Sequence, residues 1–506
     1  MPSTSDYIRG LLDKDVFIKR PIILTKTSYR LIIIFSIYIV VRILAMIFFP
    51  LQDTTEARYA EMARIMAETG DWITPYFDYN VPFWGKPPLV FWLEALSIKL
   101  FGVNDFSPRI PSLLLTLATA GIMYHVLNKT KDQATAIWAV GIFMTTLLVF
   151  ILSGVVILDP IFAFTTTLAY LSFIMVLKEQ KGYWGYLFFI AVALGLLSKG
   201  PLALVLVGGT IMLWLLIARN RWRVFLMYPW ISGLLLLLVI TLPWYILAEL
   251  KTPGFLDYFI VGEHFKRFTD SGWSGDLYGV AHKEPHGMIW VDWLIVSLPW
   301  GIIAIFISAK ELINARSLRP IKSYLQNEEY SFYLLWALFP MLFFSLSGNV
   351  LATYVLPGLP ALAIVLAIHF QKKPFFINEK VRRRAMNLLY LVPVLIIIIL
   401  VYTNLNRSII RTEKFLIQEH ARIAKASEPL FYLRREPFSA RYYSKGTMIF
   451  VSYDGLKQIE ETKSVKSYYL AIPENELPRV EKIVGHSLKK IDSSRLFDLV
   501  KVVHDD

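Results

Sequence analysis

An acidic and aromatic stretch of 36 residues, Asp53 to Pro88 (DTTEARYAEMARIMAETGDWITPYFDYNVPFWGKPP), lies between the first long apolar run and the next. Its residue types suit group transfer at a membrane surface. Lys86 stands before Pro87-Pro88, and prolines and the residues preceding them have a restricted, extended backbone. A cation with so little freedom, set among aromatics, suits a lipid phosphate. The ordinary alternative is a lysine that snorkels from the end of a span. Asp53 comes three residues after Pro50, at the mouth of the apolar run, where it is either a carboxylate acting on substrate or a helix cap. Thr54 or Thr55 can cap a helix that runs to Gly70 along the interface. For Glu61, Arg64 and Glu68 the pattern predicts a solvated helix face.

Other segments add candidates. Asp159 in VVILDPIF sits at the lip of a later apolar run, where an ionisable residue is costly and points to function; a cap ahead of Pro160 is the alternative. Lys199 in LLSKGPLA sits similarly, before the Gly200-Pro201 break, as a functional candidate or as part of a simple interhelical turn. The segment GEHFKRFTDSGWSGDLYGVAHKEPHG carries Glu263, His264, Lys266, Arg267, Asp270, Asp276, His282 and His286. Their spacings match no compact metal motif. Arg267 stands out, because a guanidinium can clamp a phosphate with two parallel hydrogen bonds. The chain has no cysteine, hence no disulfide and no thiolate metal site.

The elements that must position these residues follow from composition. In 506 residues, 56% are hydrophobic, 15% aromatic and only 18% charged, which excludes an ordinary soluble domain and predicts a polytopic membrane protein. Candidate spans lie near 30–50, 108–127, 133–152, 157–177, 183–198, 201–218, 225–247, 288–308, 331–347, 351–370 and 384–402. Eleven to thirteen crossings are expected. Lys and Arg fall in alternate loops, so much of the +13 net charge is a topology signal and not a nucleic-acid footprint. With residues 1–29 cytoplasmic, the transmembrane part (30–402) presents loops 51–107 and 248–287 on the outer face. Residues 403–506 follow there as a small α/β domain with strands at PLFYLRR, MIFVSY and YYLAIP. Several outer loops thus offer carboxylates and cations near the membrane surface while span centres are nearly free of charge. That pattern favours a surface-facing enzyme over an ion-coupled transporter.

An ordered set of motifs runs through the chain: D-x-x-E-A-R-Y-A-E at Asp53 to Glu61, G-D-W at Gly70 to Trp72, K-P-P-L at Lys86 to Leu89, F-G-V-N at Phe101 to Asn104 and S-P-R-I-P-S at Ser107 to Ser112. L-D-P around Asp159, L-S-K-G-P at Leu197 to Pro201, E-H-F-K-R-F at Glu263 to Phe268 and T-Y-V-L-P at Thr353 to Pro357 continue it. The set resembles the bacterial branch of the protein O-mannosyltransferase superfamily, which includes the lipid A 4-amino-4-deoxy-L-arabinose transferases. The resemblance implies a mainly α, GT-C type membrane glycosyltransferase. Such an enzyme takes a sugar from a polyprenyl-phosphate donor and passes it to an envelope acceptor such as lipid A, another glycan or a protein. It would sit in the bacterial inner membrane with its active site on the periplasmic face.

By position, the resemblance makes Asp53 the main catalytic carboxylate and Asp159 a second acidic residue. Arg58, Lys86 and Arg267 would contact the donor phosphate, and Tyr59, Glu263, His264 and Tyr354 would line the cavity. No cofactor is certain; a divalent cation shared by Asp53 and Asp159 is compatible with the pattern. Two positions depart from the aminoarabinose transferases: Gly85 stands where they usually have Glu, and Val350 where they usually have Lys. These departures argue against carrying aminoarabinose over as the sugar. Protein O-glycosylation, a lipid-linked sugar flippase and a structural membrane protein are the alternative readings.

Overall fold

Each apolar run folds as a helix or as two helices meeting at a break. In this computed structural model the described residues are 26–178, 182–217, 222–279, 282–315, 324–372 and 378–504. Most of the expected N-terminal cytoplasmic segment, and Lys181, Arg219, Arg221, Arg316, Arg319, Lys322 and Lys373 of the basic loops, lie outside them. Five helices are by themselves long and apolar enough to cross a membrane: Ser107–Thr130, Asp159–Leu177, Trp230–Lys251, Ala352–Gln371 and Glu379–Leu405. The bent pair Met288–Val296 and Trp300–Ala315 makes a sixth. Among the described residues the expected eleven to thirteen crossings are therefore not all met by unbroken helices.

The reasons are local. The run 133–152 breaks after Met144, where Thr145 and Thr146 turn their hydroxyls back onto the Gly141 and Ile142 carbonyls at 2.6 and 2.8 Å. The Leu147 N–H then leaves the helix for the Leu298 carbonyl at 2.9 Å. Within Ser297 to Pro299 the chain bends by 107°, where Pro299 has no N–H with which to continue the ladder. Helix Asp159–Leu177 is central, with 89% of its apolar window buried, whereas Trp230–Lys251 and Glu379–Leu405 are 22% and 28% buried and turn most of their surface outward. Asp159 therefore begins a helix that the bundle surrounds.

Between the first two long helices the chain builds the surface that roofs the bundle. Helix Thr55–Thr69 ends where Gly70 adopts a left-handed conformation (φ 71°) and returns its N–H to the Met66 carbonyl at 3.0 Å. A hairpin of β1 (Tyr76–Asp78) and β2 (Val81–Pro82) and the helix Leu89–Phe101 complete this layer.

The α/β unit expected at the C-terminus is present as a five-stranded sheet. Its strands are β3 (Leu430–Leu433), β4 (Ile449–Val451), β5 (Ser467–Pro473), β6 (Lys490–Ser493) and β7 (Phe497–Val503), in the order β4-β3-β5-β7-β6. β3 pairs in parallel with β4 and β5, and β7 antiparallel with β5 and β6. The three strands read from the sequence are the parallel ones. A short helix, Phe438–Tyr443, docks this unit on the helix Thr55–Thr69. Tyr443 accepts the Leu51 N–H at 2.6 Å and donates to Asp105, which also pairs with Lys414. Tyr442 donates to the Asn104 carbonyl at 2.9 Å, and Arg441 pairs with Asp78.

That docking corrects the expectation of a solvated face. Glu61 is wholly buried and Arg64 is 4% exposed. They form a two-pronged ion pair at 2.7 and 2.8 Å, which gives each buried charge its partner. Glu68, which also reaches Arg64, keeps a half-exposed side chain.

Candidate functional site

A cavity of about 750 Å³ opens beneath the roof layer, lined by six segments of the chain. Arg58 and Tyr59 reach it from the helix Thr55–Thr69, Gly85 and Lys86 from the loop before Pro87, and Asp159 from the start of the central helix. Lys199, Glu263, His264, Arg267 and Tyr354 complete the polar lining. Residues between 58 and 354 thus converge on one space.

The charges are arranged in two clusters. Lys86 Nζ lies 2.7 Å from Glu263 Oε2 and 2.6 Å from the Gly85 carbonyl. Arg267 Nη1 bridges both Glu263 oxygens at 3.1 Å and reaches Asp276 at 3.3 Å. Glu263 is thus a carboxylate gripped by two cations. Burial pushes it up, but Lys86 and Arg267 outweigh burial and hold it below the usual carboxylate value. Glu263 comes from a π-helical stretch, Asp257–Lys266, and Arg267 from its continuation Arg267–Thr269.

The second cluster is the pair Lys199 Nζ–Asp159 Oδ1 at 2.6 Å, with side chains 8% and 6% exposed. Lys199 is the last residue of helix Tyr183–Lys199, where Gly200 takes φ 65° and lets the chain turn away. Its ammonium also stands 5.1 Å from the centre of the Tyr354 ring. The sequence left Lys199 as a functional candidate or a turn residue; the structure makes it the partner of Asp159. The signal available was its place before Gly-Pro at the end of an apolar run, but nothing local named the carboxylate 40 residues away. His264 is a strut: its Nδ1 and Nε2 face the carbonyls of Phe259 at 2.7 Å and Lys199 at 3.0 Å.

Arg58 differs from the other cations. Its Nη1 donates to the Tyr278 carbonyl at 2.6 Å, its Nε is buried without a partner, and no carboxylate pairs with it among the described residues. Its guanidinium lies 5.5 Å from the centre of the Tyr59 ring. At Gly85 a Cβ would come 2.8 Å from the Phe83 ring, so no side chain fits there unless Phe83 moves. Val350 is buried beside Asn349, whose side chain holds the Arg267 and Asp270 carbonyls at 2.6 and 2.7 Å.

Asp53 is set apart from these groups. Its neighbours Thr54 and Thr55 line the cavity, but its carboxylate turns to the C-terminal unit and accepts the N–H of Ser439 at 3.0 Å and the Ser439 hydroxyl. Burial pushes its carboxyl above the ordinary 3.8, against those hydrogen bonds and the charge of Arg411. Asp53 and Asp159 are engaged by different partners, and no group of three or more His, Asp or Glu gathers among the described residues to hold a metal ion. Among the described residues the donor set does not amount to a metal site.

A bundle of apolar helices with its polar cavity at one end, roofed by long loops and joined to a small α/β unit, is the architecture of an integral membrane protein with a GT-C type fold. Residues 27–259 match the family model of dolichyl-phosphate-mannose-protein mannosyltransferase. The chain is similar to the undecaprenyl phosphate-alpha-4-amino-4-deoxy-L-arabinose arabinosyl transferase of Enterobacter sp. (strain 638), 31% identical over 350 residues, covering 68% of this chain and 59% of that protein. It is also similar to the protein so named in Yersinia pestis (strain Pestoides F), 29% identical over 372 residues, covering 70% and 62%. The chain therefore matches less than two thirds of the length of these relatives.

Its fold is that of ArnT from Cupriavidus metallidurans. The crystal structure of ArnT bound to undecaprenyl phosphate superposes with a TM-score of 0.75 over 94% of this chain and 98% of that one, at 16% identity. The apo structure gives 0.73. The superfamily resemblance read from the ordered motifs is borne out by these matches.

Proposed function

We propose that the protein is a glycosyltransferase that moves a sugar from a polyprenyl-phosphate donor to a cell-envelope acceptor such as lipid A. The unit of residues 403–506 and the cavity would lie on the periplasmic face of the inner membrane. The observation that carries this reading is Arg58, a guanidinium in a cavity wall with a buried nitrogen unpartnered and no carboxylate paired with it among the described residues. A buried polar group of this kind is costly unless a ligand completes it. An anion is the partner that suits a guanidinium, and Lys86 and Arg267, held by Glu263 and Asp276, stand in the same cavity. The names of the relatives, which carry undecaprenyl phosphate, support a lipid phosphate as that anion.

The chemistry follows from where charge develops. A sugar on a lipid phosphate already has a good leaving group, so the site must stabilise negative charge gathering on phosphate as the glycosidic bond breaks. Arg58, Lys86 and Arg267, fixed in the cavity lining, are preorganised to do this. Glu263 fixes the last two at one point. Asp53 acts on the acceptor, as base for a hydroxyl or as an orienting group for a phosphate. Asp159, neutralised by Lys199, is the second acidic residue of the site. Tyr59 and Tyr354 form part of the wall, and His264 braces the end of the Lys199 helix.

The test is to reconstitute wild type and Asp53→Asn in lipid with a panel of polyprenyl-phosphate sugars and envelope extract, and to measure released polyprenyl phosphate. Release by wild type that is lost in the variant supports the reading. Intact lipid-linked sugar crossing the bilayer, with no release from any donor, would replace it with a flippase.

A further inference from the structure

We infer that the C-terminal α/β unit completes the transfer site, with Ser439 as a positioning residue that holds Asp53 toward the acceptor. This rests on the role proposed above for Asp53. Ser439 gives that carboxylate two hydrogen bonds, from its N–H to Oδ1 at 3.0 Å and from its hydroxyl to Oδ2. The direction of the hydroxyl proton is fixed, because Ser439 Oγ accepts the Glu413 N–H at 2.9 Å and so turns its own hydrogen to Asp53. The Asp53 N–H is held as well, by the Arg411 carbonyl at 2.8 Å. Arg411, Glu413 and Ser439 all belong to the C-terminal unit, and Ser439 is completely buried. One residue of the membrane part is therefore gripped at main chain and side chain by another part of the molecule, with Ser439 386 residues away in sequence.

The grip is more than a fastening. The unit is already attached by Tyr443 to Leu51 and Asp105, by Lys414 to Asp105, by Tyr442 to Asn104 and by Arg441 to Asp78. None of these contacts needs a carboxylate at position 53. Asp53 also stands next in the chain to Thr54 at the cavity wall. Its two side-chain hydrogen bonds come from neutral donors, and no cation forms an ion pair with it among the described residues. A carboxylate held in this way is oriented by neutral donors, with no ion-pair partner among the described residues to compete with an acceptor.

Turnover of the full-length, lipid-reconstituted chain tests this, comparing wild type, Ser439→Ala, Tyr443→Phe and Asp53→Asn for kcat, donor KM and unfolding midpoint. Ser439→Ala removes one hydrogen bond to a charged group and is expected to lower kcat about ten- to hundredfold with donor KM unchanged. Tyr443→Phe removes an anchor of the same short helix without touching Asp53 and should keep wild-type kcat. The unfolding midpoint of Ser439→Ala should fall no further than that of Tyr443→Phe. Wild-type turnover by Ser439→Ala beside an inactive Asp53→Asn would overturn this inference alone. An equal fall in kcat for Ser439→Ala and Tyr443→Phe would reduce Ser439 to a fastener. Wild-type turnover by Asp53→Asn would instead remove the role of Asp53 on which the inference rests.

Discussion

The buried pair Asp159–Lys199 separates what holds the site together from what performs its chemistry. Its atoms are 2.6 Å apart and its side chains 6% and 8% exposed, so neither charge has water to fall back on. Removing one partner of such a pair costs about 3–5 kcal/mol, because the other charge is left uncompensated. Asp159→Asn and Lys199→Met should therefore each lower the unfolding midpoint by several degrees. The double variant leaves no unpaired charge and should recover most of that loss, giving a coupling of several kcal/mol where independent sites would add within about 0.5 kcal/mol. Transfer should not recover with it, since the double variant still lacks the second carboxylate of the site. The assay is thermal unfolding in lipid nanodiscs beside release of polyprenyl phosphate by the four proteins. Additive losses in the double variant would refute the pair as a coupled buried unit. Restored turnover in the double variant would refute a chemical role for Asp159.

Three further outcomes follow from the same geometry. Arg58→Ala should lower kcat/KM for the donor about ten- to hundredfold, the effect of one charge-assisted contact, with the unfolding midpoint unchanged because its main partner is a carbonyl. Glu263→Gln removes the carboxylate that gathers Lys86 and Arg267, so donor KM should rise as the two cations repel each other; an unchanged KM in donor titrations would show that Glu263 does not organise them. Glu413, in the C-terminal unit, is raised to about 8 by burial, with Asp53 adding to the rise and Ser494 and Tyr432 opposing it. The folded state thus holds a proton that the unfolded state loses near 4.5, and stability should fall as pH rises from 4.5 to about 8, by up to about 1.4 kcal/mol per pH unit. Glu413→Gln should flatten that dependence in thermal unfolding between pH 5 and 9.

What was legible in the sequence is what repeats locally. Apolar runs of span length, turn residues such as Gly70 and Gly200, and the β-branched and aromatic clusters of β3, β4 and β5 each announce themselves within a few residues, because helix and strand periodicity is a short-range property. Where runs were broken, the sequence overstated the continuity of the helices. A pair of threonine hydroxyls at Thr145 and Thr146 and the proline at 299 change hydrogen bonding without changing hydropathy. Of the last two strands, β6 (KIDS) alternates too weakly to be legible in the sequence.

The sequence by itself determined that this is a membrane protein, that its chemistry-bearing residues lie between spans, and which superfamily the ordered motifs resemble. The tertiary structure alone decided which charges meet. Lys86 finds Glu263 across 177 residues, Lys199 finds Asp159 across 40, and Asp53 finds Ser439 across 386. It also decided that Glu61 and Arg64, exposed by helical pattern, are buried under the docked C-terminal unit. The physical reason is the same in each case. A charge near hydrocarbon must be compensated, but its partner is chosen by how helices and loops pack in space, and packing leaves no periodic trace in the chain.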